Sequence, residues 1–476
     1  MKESRQSIAL CIVQLLAFAS CTPAVDEAAD EAVGTGHEVT FMTLDPGHFH
    51  AALVHKYEYD QVDPVVHIFA PDGKEIESHL SLIERFNSRE EARTNWKPVV
   101  YRGDDYLERM LEEPPGNVMV VAGKNGRKIE YIRRAVEAGI NVLADKPMVI
   151  HPESFAVLKQ ALETADRTGL VVNDIMTERH EVTSILQREL AQMPDLFGEM
   201  TTGSVDEPAI SKESVHYFYK TVAGRPLVRP TWFFDVSQQG EAIVDVATHL
   251  VDLILWQLFP EEPIDYANPD DGVRVLTARS WNTTLTPTRF AKATHESAWP
   301  EDLSSYVTND SILNVAANGE FVFQVRGVHG KVSVSWGFEN PKGGDTHFSI
   351  MRGTRANLVI RQDEPQNYRA TLYVEPTGEA AADPQAFEAR LDAALARLGT
   401  RYAGLSAEPS EFGWEVRIPE EYREGHEEHF TRVTEQYLEY LEEGALPTWE
   451  RTNLLTKYHI TTQAYSLSRP GGMAAR

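Results

Sequence analysis

The sequence predicts an α/β half joined to an α+β half: a doubly wound parallel sheet, then a mostly antiparallel, open-faced sheet with helices. Three observations predict it. From Val39 to about Asp174, short apolar runs alternate with helix-period segments, the grammar of a parallel sheet. After Glu178 the apolar runs mostly follow one another, as antiparallel strands do. Ala144-Asp-Lys-Pro147 ends a strand-like run, which puts Lys146 at a strand's carboxyl edge, where open α/β sheets bind ligands.

In the first half, Val39–Leu44 reads as a buried strand, followed by Asp45-Pro-Gly-His-Phe-His50 and a helical stretch, Ala51–Tyr57. Val65–Phe69 is a second strand, Tyr106–Glu112 a helix and Asn117–Val121 a strand. Arg127–Ala138 is a helix closed by Gly139, a residue type common at helix ends. Ile140–Ala144 is the strand leading to Lys146, Pro152–Thr168 a helix and Leu170–Asn173 a short strand. In the second half a helix runs to about Gln192, and strands are expected at Met200–Ser204, Val273–Ala278, Asp310–Ala316, Glu320–Gly327 and Lys331–Trp336. The last two form a hairpin through Val328–Gly330, and Thr346–Met351 with Ala356–Arg361 form another. A helix from Gly240 to Leu258 interrupts the strands. Phe387–Leu398, Trp414–Ile418 and His426–Glu443 read as parts of an extra subdomain over about 380–443. Thr448–Leu467 carries a helical stripe that packs back on the body.

The chain start is expected to be a targeting segment. Lys2 and Arg5, the apolar run Ile8–Ala19 broken by Gln14, and Ser20-Cys21 follow the layout of a secretory signal. Phe18-Ala-Ser-Cys21 is similar to a bacterial lipobox, with phenylalanine where leucine is usual. Residues 1–21 are therefore expected to be a lipoprotein signal peptide, with Cys21 lipidated; simple cleavage, leaving a soluble exported protein, is the alternative. Residues 22–36 read as a flexible acidic tether, 37–177 as the first domain and 178–476 as the second. Cys11 and Cys21 are the only cysteines, so no disulfide is expected within the mature chain. Membrane contact is expected through the lipid alone, at a periplasmic or cell-surface location. The net charge of −27, from 72 acids against 45 basic residues, argues against nucleic acid as a partner. A neutral sugar is an easier ligand.

Asp245 and His249 stand four residues apart in the helix-like stretch, so a carboxylate and an imidazole can face one point. Together with Lys146 they suit alcohol oxidation, the histidine accepting the hydroxyl proton while hydride leaves the same carbon. The plainer readings are a surface lysine, a core histidine and a helix-bracing aspartate. Arg179 and His180 follow the last parallel strand, a place for substrate contacts or for an ordinary solvated pair. Trp232-Phe-Phe234 and Tyr217-Phe-Tyr219, beside Arg225 and Arg229, form either a sugar-stacking wall or core. His48, His50 and His67 are placed separately, with no cysteine partners and no His-Glu-x-x-His spacing, so no metal site is expected.

With these residues in view, the chain resembles the Gfo/Idh/MocA oxidoreductases, NAD(P)-dependent enzymes acting mostly on sugars and cyclitols. Ala138–Pro147 is similar to that family's Ala-Gly-x-x-Val-x-x-Glu-Lys-Pro segment, with Asp145 in place of glutamate. Asp245 and His249 match its Asp-x-x-x-His helix, and Ala122-Gly-Lys-Asn125 stands where it has Ala-Thr-Pro-Asn. The likeness spans roughly Val39 to Arg361, and the remainder resembles an exported lipoprotein branch with an extended C-terminal domain. It implies a Rossmann-like first domain and bound NAD or NADP, with oxidation of a sugar or glycoside at carbon 3 to a 3-keto-glycoside. It implies that Lys146 meets the nicotinamide and the reacting hydroxyl, that Asp245 orients substrate, and that His249 is the base. Cofactor contacts are implied for Gly47, His48, Phe49, Asp72, Asn125, Asp145 and Lys146, and substrate contacts for Arg179, His180, Trp232 and His249. Copies are expected to associate through the C-terminal sheet.

The glycine fingerprint departs from the family's. Its three glycine positions read Asp45, Gly47 and His50, so the cofactor is either held in an altered, tight mode or lost. His48 and His50 are alternative phosphate donors. Two rival readings stay open: an NAD-dependent glycosidase working by oxidation, elimination, hydration and reduction, and a non-catalytic sugar-binding lipoprotein with a degenerate Rossmann domain.

Overall fold

The computed structural model describes residues 38–222 and 225–470. The expected signal peptide, Cys21 and the acidic tether lie outside the described residues. Among those described, no helix is long and apolar enough to cross a membrane.

The first half alternates β1 (Phe41–Leu44), α1 (His50–Leu53), β2 (Val65–Ala70), α2 (Lys74–Ser88), β3 (Lys97–Arg102), α3 (Tyr106–Glu112), β4 (Val118–Val121), α4 (Asn125–Glu137), β5 (Asn141–Asp145), α5 (Pro152–Thr168) and β6 (Val172–Ile175). All six strands pair in parallel, in the order β3-β2-β1-β4-β5-β6. The order reverses between β1 and β4, the crevice where such sheets take ligands. Strands β1, β4 and β6 are buried at every position, because apolar side chains cover both faces of the sheet.

Two of these elements lie where the sequence reading placed nothing. Helix α2 buries Ile76, His79, Ile83 and Phe86 at a spacing of three and four, and β3 follows it at the sheet edge. The expected helix Ala51–Tyr57 shrinks to four residues in α1. Just beyond it, His55 meets the Thr43 hydroxyl and Lys56 pairs with Glu427 and Glu428, holding the chain off a helical path.

The second half contains α6 (Val182–Ala191), β7 (Ile210–Tyr217), the short strands β8 (Thr221–Val222) and β9 (Arg225–Pro226), α7 (Val236–Gln239), α8 (Val246–Leu258), β10 (Arg274–Leu285) and α9 (Pro287–Thr294). It continues through β11 (Val307–Thr308), β12 (Ile312–Val325), β13 (Val328–Gly337), β14 (Thr346–Arg352), β15 (Ala356–Gln362), β16 (Thr371–Pro376), α10 (Pro384–Leu398), β17 (Ser406–Ser410), β18 (Gly413–Arg417), α11 (His426–Glu443) and α12 (Thr448–Leu467). One large sheet runs β10-β12-β13-β7-β14-β15-β16-β18-β17, with β11 on β12. Every pairing in it is antiparallel except β13 with β7.

Several sequence expectations change here. Asp310–Ala316 and Glu320–Gly327 belong to the single long strand β12. Its interior Gly319 mimics a turn in sequence, but it is small because a Cβ there would sit 3.0 Å from the Cβ of Ile243. The following hairpin turns at Arg326-Gly327, both at positive φ, two residues before the expected turn. Met200–Ser204 makes isolated bridges at Met200 and Gly203 and no strand. Residues 380–443 form no separate subdomain. Strands β17 and β18 extend the large sheet, and Phe430, Val433, Tyr437 and Leu438 of α11 pack in the core of the parallel half. Helix α12 joins both cores, placing Leu454 and Tyr458 on the parallel sheet and Ile460 and Ala464 in the core of the large one.

Candidate active site

Strand β5 ends at Asp145, and the next residue projects its ammonium toward the start of α8. Lys146 Nζ donates to Asp245 Oδ1 at 2.7 Å, and Gln239 Nε2 donates to Asp245 Oδ2 at 2.8 Å. Side-chain exposure is 11% for Lys146 and 8% for Asp245, so the pair is largely shielded from water. Burial works to lower the Lys146 pKa, but Asp245 and Asp145 reverse this and raise it. Asp245 is not itself helical. It stands at the cap position before Val246 with φ −94° and ψ −89°, so the expected shared helix face becomes a cap one turn ahead of His249.

His249 lies on α8 beside this pair. Burial pushes its imidazole well below the ordinary range, and the charge of Lys146 adds to the effect. Its Nδ1 is buried with no hydrogen-bond partner, which leaves Nε2 as the nitrogen open to a substrate. The three residues expected to work together are thus brought to one place.

The turn after β1 is built unlike a glycine fingerprint. Asp45, at the first glycine position, takes φ 45°, the left-handed conformation glycine enters freely. Its Oδ2 accepts from Tyr131 Oη at 3.0 Å, which engages the carboxylate beside α4. The backbone amides of this turn are largely used within the protein. Gly47 N–H reaches Asp45 O at 2.7 Å and His48 N–H reaches Ala122 O at 3.1 Å. His50 N–H reaches His48 Nδ1 at 3.3 Å, and His50 Nδ1 lies 3.0 Å from Asp145 Oδ2. Phe49 is exposed between them.

A cleft of about 440 Å³ opens over the carboxyl ends of β1, β2 and β4, lined in part by Asp45, Pro71, Lys124, Arg127 and Trp232. A nicotinamide dinucleotide fits this place by two observations. A Cβ on Gly123 would lie 2.6 Å from Asp45 O, and one on Gly47 3.3 Å from Gly123 Cα, so the two turns approach as only glycines allow. Lys124 and Arg127 supply cations to the lining beside Asp45, with Asp104, Asp235 and Asp302 also on its wall, so a phosphate would have to sit against those two cations. With the amide cradle occupied, side chains would carry the phosphate binding.

Other expected site residues have different work. Asp72 is a surface residue paired with Arg102 at 3.2 Å, next to Pro71 of the cleft but not itself part of the lining. Asn125 is buried, donating to Gln239 O at 2.7 Å and accepting from Lys128 Nζ at 2.7 Å, so it ties two segments together and is no open cofactor contact. Arg179 is an ion-pair brace and no substrate contact: its guanidinium binds Asp252 and Glu450, each bidentately. His180 has His429, Arg179 and Glu424 as its electrostatic neighbours, toward α11. Trp232 lines the cleft and lies beside Gly47, on the cofactor side, while Phe218, Phe233 and Phe234 are core. Arg229 stacks on Phe233 and Trp336, so Phe218, Phe233 and Phe234 are packed support, while Tyr217, Tyr219 and Trp232 are half-buried. His67 meets Tyr101 Oη, apart from the other two histidines.

Sequence reasoning missed Gln239, Glu178, Lys212 and His426. Burial and Glu181 push Glu178 up to about 7, and burial brings Lys212 down to about 7, with its Nζ 2.8 Å from Ser349 Oγ. Gln239 had a usable signal, standing six residues before Asp245 in a polar Gln-Gln-Gly break. His426 had none, because it reaches His50 from 376 residues away.

Residues 47–173 match the family model described as Oxidoreductase family, NAD-binding Rossmann fold. Residues 186–469 match the one described as Putative oxidoreductase C terminal domain. A crystal structure of a "putative oxidoreductase" from Parabacteroides merdae is 49% identical with a TM-score of 0.87, and the match covers 91% of this chain and 98% of that one. Levoglucosan dehydrogenase in complex with NADH shares the fold at 12% identity and a TM-score of 0.55, over 89% of this chain and 94% of that one. KijD10, a 3-ketoreductase from Actinomadura kijaniata, does so at 13% identity and 0.51, over 89% and 95%. No curated protein matches.

Proposed function

The chain belongs to the Gfo/Idh/MocA oxidoreductase family, in the branch carrying this C-terminal domain, and from that premise we propose that it oxidises a secondary alcohol of a sugar or glycoside, at ring carbon 3, with NAD. The observation that carries the reading is the Lys146–Asp245 pair, 2.7 Å apart, with the imidazole of His249 one turn along α8. A dinucleotide held in the cleft beside Lys124 and Arg127 would supply the hydride acceptor for the carbinol carbon. Lys146 stays charged because Asp245 and Asp145 hold it so, and its ammonium donates to the alcohol oxygen, easing loss of the hydroxyl proton. His249 stays neutral and accepts that proton through Nε2. Gln239 fixes the second oxygen of Asp245 and keeps the carboxylate from swinging. In this proposal the protein is exported, held at a membrane by a lipid on Cys21, and meets its substrate there.

The test follows NADH absorbance with aryl glycosides. The wild-type protein is expected to accumulate a keto-glycoside. Lys146→Ala is expected to lose at least about 10²-fold in turnover with an unchanged circular dichroism spectrum and melting midpoint. Unchanged turnover in that variant overturns the assignment. One observation favours a second reading, the sugar-binding lipoprotein: the amides of Gly47 and His48 are already bonded inside the protein. Calorimetry showing sugar binding without any NAD binding would select it.

A further inference from the structure

We propose that His48, His50 and Asp145 form a binding site for a single divalent transition cation of the Zn²⁺ class. In sequence the histidines stand at a helix start and within a strand, with no third ligand beside His48 and His50, and the fold supplies one in Asp145. His48 and His50 sit two residues apart in the turn after β1, and Asp145 comes to them from the end of β5. One ligand atom from each of the three lies within 4.8 Å of the others, a spread that a modest side-chain adjustment closes around an ion bound at about 2.0–2.2 Å.

The donor set decides the class of ion. Two imidazoles and one carboxylate suit Zn²⁺, Co²⁺ or Fe²⁺, whereas Mg²⁺ and Ca²⁺ take oxygen ligands. Three protein ligands leave at least one coordination position open, as catalytic rather than structural sites do. The surroundings are arranged to permit the ion. His50 and Asp145 are 13% and 9% exposed, close enough to the surface for entry. His426 Nε2 stands 3.5 Å from His50 Nε2 and can hold the ring's far nitrogen, while His50 Nδ1 and Asp145 Oδ2 exchange their mutual 3.0 Å bond for the ion. His48 gives up only the 3.3 Å contact from the His50 amide.

Three cations are nearby. Lys146 is ion-paired with Asp245, Lys128 is bonded to Asn125 Oδ1 and Asp145 O, and Arg229 stacks on Phe233 and donates to Phe218 O. None of these contacts occupies the carboxylate oxygen that His50 faces. The site stands at the turn where the family's glycine fingerprint has been replaced, and it neighbours the Lys146–Asp245–His249 set through the charge of Asp145. It does not depend on the redox reading above.

The experiment uses the full mature chain without a histidine tag, stripped with chelator and titrated with Co²⁺ under visible absorption, then with Zn²⁺ in competition. One equivalent of Co²⁺ is expected to give ligand-field bands, which Zn²⁺ removes. His50→Ala and Asp145→Asn are each expected to weaken binding by more than about 100-fold, and His67→Ala to leave it unchanged. If His50→Ala fails to fold, His48→Gln takes its place with the same expectation. No spectral change and no retained Zn²⁺ in the wild-type protein overturns the proposal. So does equal binding by the wild type and the folded ligand variants.

Discussion

Asp245 uses both carboxylate oxygens inside the protein, one on Lys146 and one on Gln239, and its role follows from that. It sets the charge state and direction of the ammonium. Asp245→Asn keeps the size and removes the charge, so burial then acts on Lys146 with less opposition. Turnover is expected to fall about 10²-fold, and the alkaline limb of the rate profile to move to lower pH as Lys146 loses its proton earlier. His249→Gln is expected to lose about 10²- to 10⁴-fold in turnover while NAD affinity, read by fluorescence, is kept. In the wild type, the acid limb assigned to His249 is expected below the ordinary imidazole range, because burial disfavours its protonation. These three residues were legible in sequence because each sits in a short local pattern: a strand end for Lys146, a four-residue step for Asp245 and His249. The roles of Asn125 and Arg179 were not. Asn125 reaches Gln239 across 114 positions and Arg179 reaches Glu450 across 271, and no local pattern records such pairings.

At the scale of elements, the joint between the halves is a buried ionic knot. Arg179 binds Asp252 on α8 and Glu450 on α12, while Lys457 binds Asp174 on β6 as well as Asp252. Tyr458 adds its hydroxyl to Asp174 and accepts from the Met148 amide. Removing one partner leaves buried charge uncompensated, so Glu450→Ala is expected to cost roughly 3 kcal/mol in urea unfolding. The KM for glycoside should hardly move, which distinguishes a brace from a substrate contact. Some helices were legible to the residue: α3, α5 and α12 begin and end where the sequence reading placed them. Strand β7 was not, because its Ile-Ser-Lys-Glu-Ser-Val-His-Tyr run looks soluble although Ser211, Lys212 and Ser214 are buried. A central strand that buries a lysine on a serine hydroxyl defeats any reading based on alternation alone.

Across the whole molecule, buried neutral histidines set the response to acid. Burial brings His55 and His79 down to about 3, and neither nitrogen of His79 has a hydrogen-bond partner. The unfolded chain binds protons below about pH 6.5 while these native imidazoles refuse them, so stability is full above that pH and is lost as pH falls toward 3. Each contributes about 1.4 kcal/mol per pH unit in that window. His79→Phe is expected to flatten the acid limb of chemical stability measured from pH 7 to pH 4. The division into a parallel half and a largely antiparallel half was legible from the change of grammar after Glu178. The route of the last hundred residues was not, since the stripe of α11 does not say which sheet it covers and α12 buries polar side chains such as Glu450, Asn453, Thr456 and Lys457 among its apolar ones. That route has a consequence for synthesis. A ribosome delivers β1 through β6 long before it reaches Phe430 and Tyr458, so the parallel sheet stays partly uncovered through most of translation. Its maturation is a late event, and a polypeptide cut after β16 should be recovered in inclusion bodies.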